Sequence, residues 1–271
     1  RYLSRIKEDE KEEVAMGNKK KNFPLSTKKW IWIASIAALF LGVFYGVKFW
    51  EWGTGKNDYF AVSVPLGAKS QIVLPDKTTV WLNAGTSLEY NYDNKEKKRR
   101  VKIRGEGYFE VVHDKERPFI VRTEKVSTRV LGTEFNVQSY TGKAVNVTLV
   151  KGSVAVRGNN DQANTSEVVL NPGENASWEG GRFRVETVDA LKYVAWKDGF
   201  FYYDNEPLEN ILNELGRWFD FTVFYQNPEV KSYRFKFWAN RKDTPEEIME
   251  RLNETGKLHV RFNGESVVVS L

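Results

Sequence analysis

The stretch WIWIASIAALFLGVFYGV, residues Trp30–Val47, decides how this chain is organised. It contains no charged residue and no proline, and its only polar side chains are one serine and one tyrosine. As an α-helix, a segment of this length spans about 27 Å, close to the hydrocarbon thickness of a bilayer. The sequence therefore predicts a single transmembrane helix over residues 30–50.

The residues that flank this stretch support the same prediction. Lysines and aromatic side chains are enriched where a spanning helix meets the membrane surface. A signal peptide would end in a small-residue cleavage site, and none follows Val47. A buried core helix would have a polar face, which this segment lacks. The expected membrane anchors are Lys28, Lys29, Trp30, Trp32, Tyr45, Trp50 and Trp52.

The positive charge of the chain lies next to this segment. The net charge is +5, and residues 1–29 carry nine basic and five acidic side chains. Residues 53–271 are almost balanced, with 31 basic and 30 acidic side chains. This distribution favours a cytoplasmic N-terminus and a C-terminal part on the other side of the membrane. It gives no reason to expect direct binding to nucleic acid.

The inventory of reactive side chains is small. The chain has no cysteine and only two histidines, His113 and His259, which are far apart in the sequence. A zinc site or a Ser-His-Asp triad is difficult to assemble from these residues. We therefore expect no metal, no cofactor and no enzymatic activity on another molecule.

Residues 51–188 read as an all-β domain. Short apolar segments alternate with turn residues, and no convincing helix interrupts them. This pattern is typical of a sandwich, a roll or a solenoid, and the sequence leaves the three open. The predicted strands are Val62–Leu66, Gln71–Leu74, Thr78–Leu82, Val101–Arg104, Tyr108–Val112, Phe119–Thr123, Ser127–Leu131, Phe135–Tyr140, Val145–Val150, Ser153–Arg157 and Val168–Leu170.

Residues 189–271 read as a small α+β domain of β-α-β-β-α-β order, with both helices on one face of a sheet. Apolar residues recur at helical spacing over Pro207–Phe219, with Asn205 as the expected cap. The segment Thr244-Pro245-Glu246-Glu247 has the residues of a capping box, with proline at the first helical position. The domain closes with strands on either side of Asn263-Gly264.

The last strand is the candidate for binding a partner. It has no charge and high β propensity, so it could be an exposed edge that pairs with a strand of another protein. The same pattern also fits a central strand that is buried on both faces. The residues of this candidate are Val267, Val268, Val269, Ser270 and Leu271.

Several motifs follow one another in a recognisable order. They are Val64-Pro65-Leu66-Gly67, Leu74-Pro75-Asp76-Lys77-Thr78, Gly105-Glu106-Gly107-Tyr108-Phe109, Val130-Leu131-Gly132-Thr133-Glu134, Lys151-Gly152-Ser153 and Asn171-Pro172-Gly173-Glu174. Together they resemble FecR-type anti-sigma factors, except that Lys77 stands where the family usually has glycine. The C-terminal segment is similar to the domain that follows in the Bacteroidetes-type version, and to the N-terminal signalling domain of secretins and TonB-dependent transducers.

The resemblance implies an inner-membrane regulator. Its periplasmic domains would receive a signal from the N-terminal signalling domain of an outer-membrane TonB-dependent transducer. Its cytoplasmic region would control an extracytoplasmic-function sigma factor. Residues 1–29 are then expected to be a charged cytoplasmic stub, a truncated form of the family's sigma-binding region. The partners implied are the sigma factor, the transducer and the lipid bilayer.

The resemblance also implies a possible self-cleavage between Gly132 and Thr133. The threonine hydroxyl would attack the preceding carbonyl, and water would cleave the resulting ester. A glycine turn that leads into a strand is the simpler interpretation. Two other functions stay open: an adaptor that binds an outer-membrane complex without signalling, and a membrane-anchored glycan hydrolase, which would need paired carboxylates in a cleft.

Overall fold

A computed structural model describes residues 27–53, 58–93, 98–159 and 167–271. The chain divides into two compact units, Arg1–Lys56 and Asn57–Leu271. In the first unit, helix α1 extends over Thr27–Gly53. The charged N-terminal stub and the basic loop around Lys95 lie outside the described residues.

Helix α1 contains the apolar stretch of the sequence. The side chains of Trp32 and Tyr45 are exposed, as are the other side chains described along this helix. The anchors at positions 28, 29, 30, 50 and 52 lie outside the described side chains. Within the described part of the chain, no helix has both the length and the apolar character needed to cross a membrane. The transmembrane assignment stays a prediction.

The described residues of 58–188 are all-β, as the sequence predicts, but residues 51–53 belong to helix α1. The strands are β1 Asp58–Ser63, β2 Ser70–Val73, β3 Thr79–Leu82, β4 Ser87–Asp93, β5 Lys98–Glu110, β6 Phe119–Arg122, β7 Val126–Val130, β8 Glu134–Ser139, β9 Val145–Lys151, β10 Val154–Gly158, β11 Glu167–Leu170, β12 Glu174–Glu179 and β13 Arg182–Thr187. One sheet has the order β1-β4-β5-β6-β7-β10-β11, and the other has the order β2-β3-β5-β8-β9-β12-β13. All neighbours are antiparallel except β5 and β6.

The two sheets share strand β5. Its first half pairs with β4 and β6, and its second half pairs with β3 and β8. The strand changes sheet at Gly105, where the backbone has a φ of 114°. A Cβ at this position would lie 2.4 Å from Thr86 Oγ1. Only glycine fits this bend, because both the dihedral angle and the close approach exclude a side chain.

The apolar faces of the two sheets enclose one core. Phe109 and Phe135 stack with their ring centroids 5.2 Å apart, and side chains from both sheets complete the cluster. The architecture is therefore a sandwich, one of the three that the sequence left open. Strands β4, β12 and β13 were not predicted, and the two strands predicted over residues 101–112 are one continuous strand.

A buried ion pair holds the turn that contains Lys77. The Asp76 carboxylate accepts hydrogen bonds from Thr78 N at 3.1 Å and Thr78 Oγ1 at 2.9 Å, and it pairs with Arg99 Nη1 at 2.9 Å. Lys77 itself has a φ of 69°, in the left-handed region that favours glycine. The turn therefore explains why glycine is usual at this position in the proteins that the motif resembles.

The second part of Asn57–Leu271 is the predicted α+β domain, and the two closing strands around Asn263-Gly264 make its order β-α-β-β-α-β-β. Its elements are α2 Ala190–Val194, a 3-10 helix Ala195–Asp198, β14 Phe200–Pro207, α3 Leu208–Phe219, β15 Thr222–Tyr225, a 3-10 helix Pro228–Ser232, β16 Arg234–Asn240, α4 Pro245–Asn253, β17 His259–Phe262 and β18 Ser266–Ser270. The five strands form two sheets, β14-β16 and β15-β18-β17. The prediction of one sheet with both helices on one face was wrong.

Both predicted helices are present. The capping box at Thr244 is confirmed, with its side chain accepting from Glu247 N. Leu208, Ile211, Leu212 and Leu215 of α3 are buried, as the helical spacing predicts, whereas Trp218 is half-buried. The predicted cap of α3 was wrong: the helix begins after Pro207, and Asn205 adopts a φ of 56° within β14.

The edge-strand interpretation of residues 267–271 was also wrong. Strand β18 is central, because it pairs with β15 in parallel and with β17 in antiparallel register. Val267 and Val269 are completely buried in the core of this domain. Both edges of β18 are therefore occupied, as in the central-strand alternative, but only one face is buried, because Val268 and Ser270 are half-buried.

We predict that Gly105→Ala destabilises the sandwich by about 2–4 kcal/mol, because it adds backbone strain and a steric overlap with Thr86. Gly142 provides the control, since its φ of 76° is similar but a Cβ there meets nothing within 4 Å. Gly142→Ala should cost only about 1 kcal/mol. Chemical denaturation of both variants measures the difference, and equal losses would contradict the steric role of the bend.

Candidate functional site

The sandwich and the α+β domain meet around a buried carboxylate, that of Glu106 in β5. Only 3% of its surface is exposed. Its Oε2 accepts a hydrogen bond from Asn83 Nδ2 at 2.7 Å. Its Oε1 accepts from Asn136 Nδ2 at 3.0 Å and Gln138 Nε2 at 3.4 Å. Three amides therefore satisfy the carboxylate from within the sandwich.

The α+β domain reaches this network through Arg241, which lies in the turn between β16 and α4. Its Nη1 donates to Asn83 Oδ1 at 3.1 Å, so one asparagine links the arginine to Glu106. The guanidinium packs over the rings of Phe201 and Trp218, at 4.7 and 4.2 Å from their centroids. The arginine is 7% exposed and is held in place from both sides of the interface.

Further contacts join the same two domains. Gly67 N donates to Arg217 O at 2.9 Å, and the Arg217 guanidinium lies 3.8 Å from the ring centroid of Tyr140. Trp196 Nε1 donates to Asn136 Oδ1 at 3.3 Å, and Lys143 Nζ donates to Asn210 Oδ1 at 3.0 Å. The interface combines hydrogen bonds, cation–π contacts and buried charge, so we expect the two domains to move together.

Burial changes the proton affinity of the charged groups in this network. Burial raises the pKa of the Glu106 carboxyl, and the negative charge of Glu214 acts in the same direction, while the amides of Asn83 and Asn136 oppose it. Burial lowers the pKa of the Arg241 guanidinium, against the attraction of Glu214 and Glu106. The domain interface therefore contains buried charged groups, whose removal from water reduces the stability of the fold.

A polar cleft of about 1260 Å³ opens beside this network. One wall is formed by β8, β9, β12 and β13 of the sandwich, and the other by α2, β14 and α3 of the second domain. Amide, hydroxyl, aromatic and charged side chains all contribute to the lining. Among the described residues, no group of His, Cys, Asp and Glu side chains could hold a metal ion.

Gly132 and Thr133 lie just before β8, away from the cleft lining. Thr133 is buried, and its Oγ1 donates to Ser153 O at 3.0 Å. A Cβ on Gly132 would lie 2.5 Å from both Cα and Nδ1 of His113, so the glycine allows His113 to pack against the chain. This contact gives Gly132 a structural role. Self-cleavage of the bond between residues 132 and 133 stays a prediction.

The site residues proposed from the sequence do not line the cleft. Residues 267–271 lie in the three-stranded sheet, and residues 132 and 133 lie beside His113. Sequence reasoning missed Asn83, Glu106 and Arg241. Glu106 did carry a signal, because it is a charged residue inside an otherwise regular strand motif, between two glycines. Its amide partners are far away in the sequence, and only the fold brings them together.

Both domains match the models of known protein families. The model of the FecR protein family matches residues 61–155, and the model described as FecR, C-terminal, matches residues 200–269. The chain belongs to the FecR family. The first matched region contains Asn83 and Glu106, and the second contains Arg241, so the network described above joins the two FecR regions.

Solved structures support this assignment. Two crystal structures of a candidate anti-sigma factor from Parabacteroides distasonis ATCC 8503, at 1.65 and 2.50 Å resolution, are similar to this chain. Each has a TM-score of 0.71 and 27% sequence identity, and each alignment covers 78% of this chain and 98% of the other. No curated protein matches the chain. The FecR assignment therefore rests on both sequence and fold.

We predict that Glu106→Gln flattens the dependence of stability on pH. The folded pKa of Glu106 lies above its ordinary value of 4.5, so between these two values the folded state binds more protons than the unfolded state. Stability is therefore lost as the pH rises through this window. The melting temperature of the wild type should fall more than that of the variant as the pH rises above 4.5. Parallel profiles would show that Glu106 does not titrate differently in the folded protein.

Proposed function

We propose that this chain is an inner-membrane anti-sigma factor that receives its signal in the periplasm. In this proposal α1 crosses the membrane, the N-terminus lies in the cytoplasm, and Asn57–Leu271 lies in the periplasm. The signal comes from the N-terminal signalling domain of an outer-membrane TonB-dependent transducer. The output is control of an extracytoplasmic-function sigma factor through the N-terminal region.

The observation that carries this proposal is the joining of two FecR regions into one compact unit. The unit contains both matched regions, and the solved neighbour of similar length was named as a candidate anti-sigma factor. A receiver that must pass on a contact needs domains that move together. The buried link from Arg241 through Asn83 to Glu106 provides such a coupling.

Support for the membrane location comes from the sequence. Residues 30–47 contain no charged side chain, and the surplus of basic residues lies on the N-terminal side. The exposure of the apolar side chains described along α1 is consistent with contact to lipid. These observations favour a cytoplasmic N-terminus and a periplasmic receiver.

The α+β domain is the proposed contact for the transducer. Because β18 is central, the pairing edges of this domain are those of β14, β15, β16 and β17, as far as the described residues show. Strand β16 carries Trp238, which is 64% exposed. An exposed aromatic beside a free strand edge is a favourable place for a partner strand to add.

The two alternatives have less support. An adaptor would use the same surface without regulating transcription. A glycan hydrolase needs a carboxylic acid that is accessible to the glycosidic oxygen. Carboxylates do line the cleft, but both oxygens of Glu106 are already bound by amide donors. We therefore favour a regulator over an enzyme.

Deletion of residues 189–271 tests the proposal. With α1 and the sandwich retained, sigma-controlled transcription should lose its response to the inducing substrate. A second variant, Trp238→Ala in the intact chain, should weaken the response without changing the amount of protein. Binding of the isolated transducer domain to the intact chain, with transcription unaffected by the deletion, would favour the adaptor and contradict the regulator.

A further inference from the structure

Within the floor of the interdomain cleft, one row of polar side chains crosses five strands. In register, Glu106 of β5 lies opposite Gln138 of β8, which lies opposite Asn146 of β9. Asn146 lies opposite Ser177 of β12, which lies opposite Arg184 of β13. Residues directly opposite one another share a face of the sheet, so these five side chains all point into the cleft.

This row is long and mostly uncharged. Five strands at the usual spacing extend over about 19 Å. The three central positions carry amide or hydroxyl groups, and charges occur only at the two ends. Asn146 Nδ2 donates to Gln138 Oε1 at 3.3 Å, and Gln138 donates in turn to Glu106. Amides and hydroxyls both donate and accept, so the row suits a ligand whose own groups do the same.

The facing wall carries aromatic rings among charged and amide side chains. Tyr193, Phe200 and Tyr202 of the α+β domain contribute to the cleft lining, and Phe200 is 40% exposed. Rings of this kind provide apolar faces against which a flat, partly apolar molecule can lie. A polar floor opposite a wall that carries aromatic rings fits a molecule with hydroxyls at its edges and C–H groups on its faces.

The charges around the cleft do not select an ion. Arg184 pairs with Glu186 at 3.1 Å, and Lys192 pairs with Asp204 at 3.2 Å. Lys143 is bound to Asn210 and lies 3.6 Å from Glu209. An anionic ligand would have to displace these partners. Arg217, over the ring of Tyr140, and Arg182 also line the cleft, but seven carboxylates share the lining with the five cations. Charges of both signs do not select an anion or a cation, so they favour a neutral ligand.

The floor also disfavours an extended peptide. Peptides bind sheets mainly through backbone hydrogen bonds at a free strand edge. Strands β8, β9 and β12 are each paired on both sides, so the central floor, where Gln138, Asn146 and Ser177 lie, offers side chains only. Among the described strands, a free edge occurs only at the end of the floor, at β13.

From these observations we propose that the cleft binds a short neutral oligosaccharide. The hydroxyls of the sugar contact Gln138, Asn146 and Ser177, and its C–H faces lie against Phe200 and Tyr202. The site lies between the two FecR regions, so an occupied cleft would contact both domains at once. This binding is separate from the proposed regulation of a sigma factor, which would stand if no sugar bound.

Isothermal titration calorimetry on the full chain tests the proposal, in a detergent without a sugar headgroup. The probes are linear tetrasaccharides of glucose, xylose and N-acetylglucosamine, with an uncharged decapeptide as the competing class. We expect saturable binding of at least one tetrasaccharide and none of the peptide. Absence of binding by all three sugars, or binding of the peptide alone, would overturn the assignment.

Two variants locate the site. Asn146→Leu removes polar contacts from the floor, and Tyr202→Ala removes a ring from the wall. Each should weaken sugar binding by about tenfold, since the loss of one or two hydrogen bonds or of one ring contact has this effect. Phe224→Ala is the matched control, because Phe224 is an exposed aromatic of the same domain, in β15, and lies outside the cleft lining. Equal affinities for all four proteins would show that the sugar binds elsewhere, and would contradict the proposal.

Discussion

The fold of Asn57–Leu271 depends on one constraint: a carboxylate buried between two domains must have its hydrogen bonds satisfied. Removing Glu106 from water is costly unless donors surround it, and three amides do so. One of these amides, Asn83, also accepts from Arg241 of the other domain. The satisfaction of a buried charge in the sandwich and the docking of the α+β domain are thus parts of one network.

This network has consequences for how a signal could pass. Arg241 is held by Phe201 and Trp218 on its own domain and by Asn83 on the other. A movement of the α+β domain that withdrew the arginine would leave the buried Asn83 Oδ1 without its donor from that domain, which is costly. The two FecR regions are therefore expected to respond to a bound partner, or to an occupied cleft, as one body.

Much of the fold could be predicted from local pattern, but the site could not. Alternating residues such as Val145, Val147 and Leu149 predict a strand, and the capping box at Thr244 predicts a helix start, because these signals involve neighbouring residues. The pairing of β18 on both sides could not be predicted, since an uncharged strand looks the same at an edge and in the centre. The link from Asn83 to Arg241 joins residues that are 158 positions apart, and no local signal indicates such a contact.

The central claim is that Arg241 makes the two domains one cooperative unit, and differential scanning calorimetry of the full chain tests it most directly. The wild type should show a single transition for Asn57–Leu271, with a calorimetric enthalpy equal to the van't Hoff enthalpy. Arg241→Leu should separate this transition into two, one for the sandwich and one for the α+β domain. Two independent transitions in the wild type, or a single unchanged transition in the variant, would contradict the account.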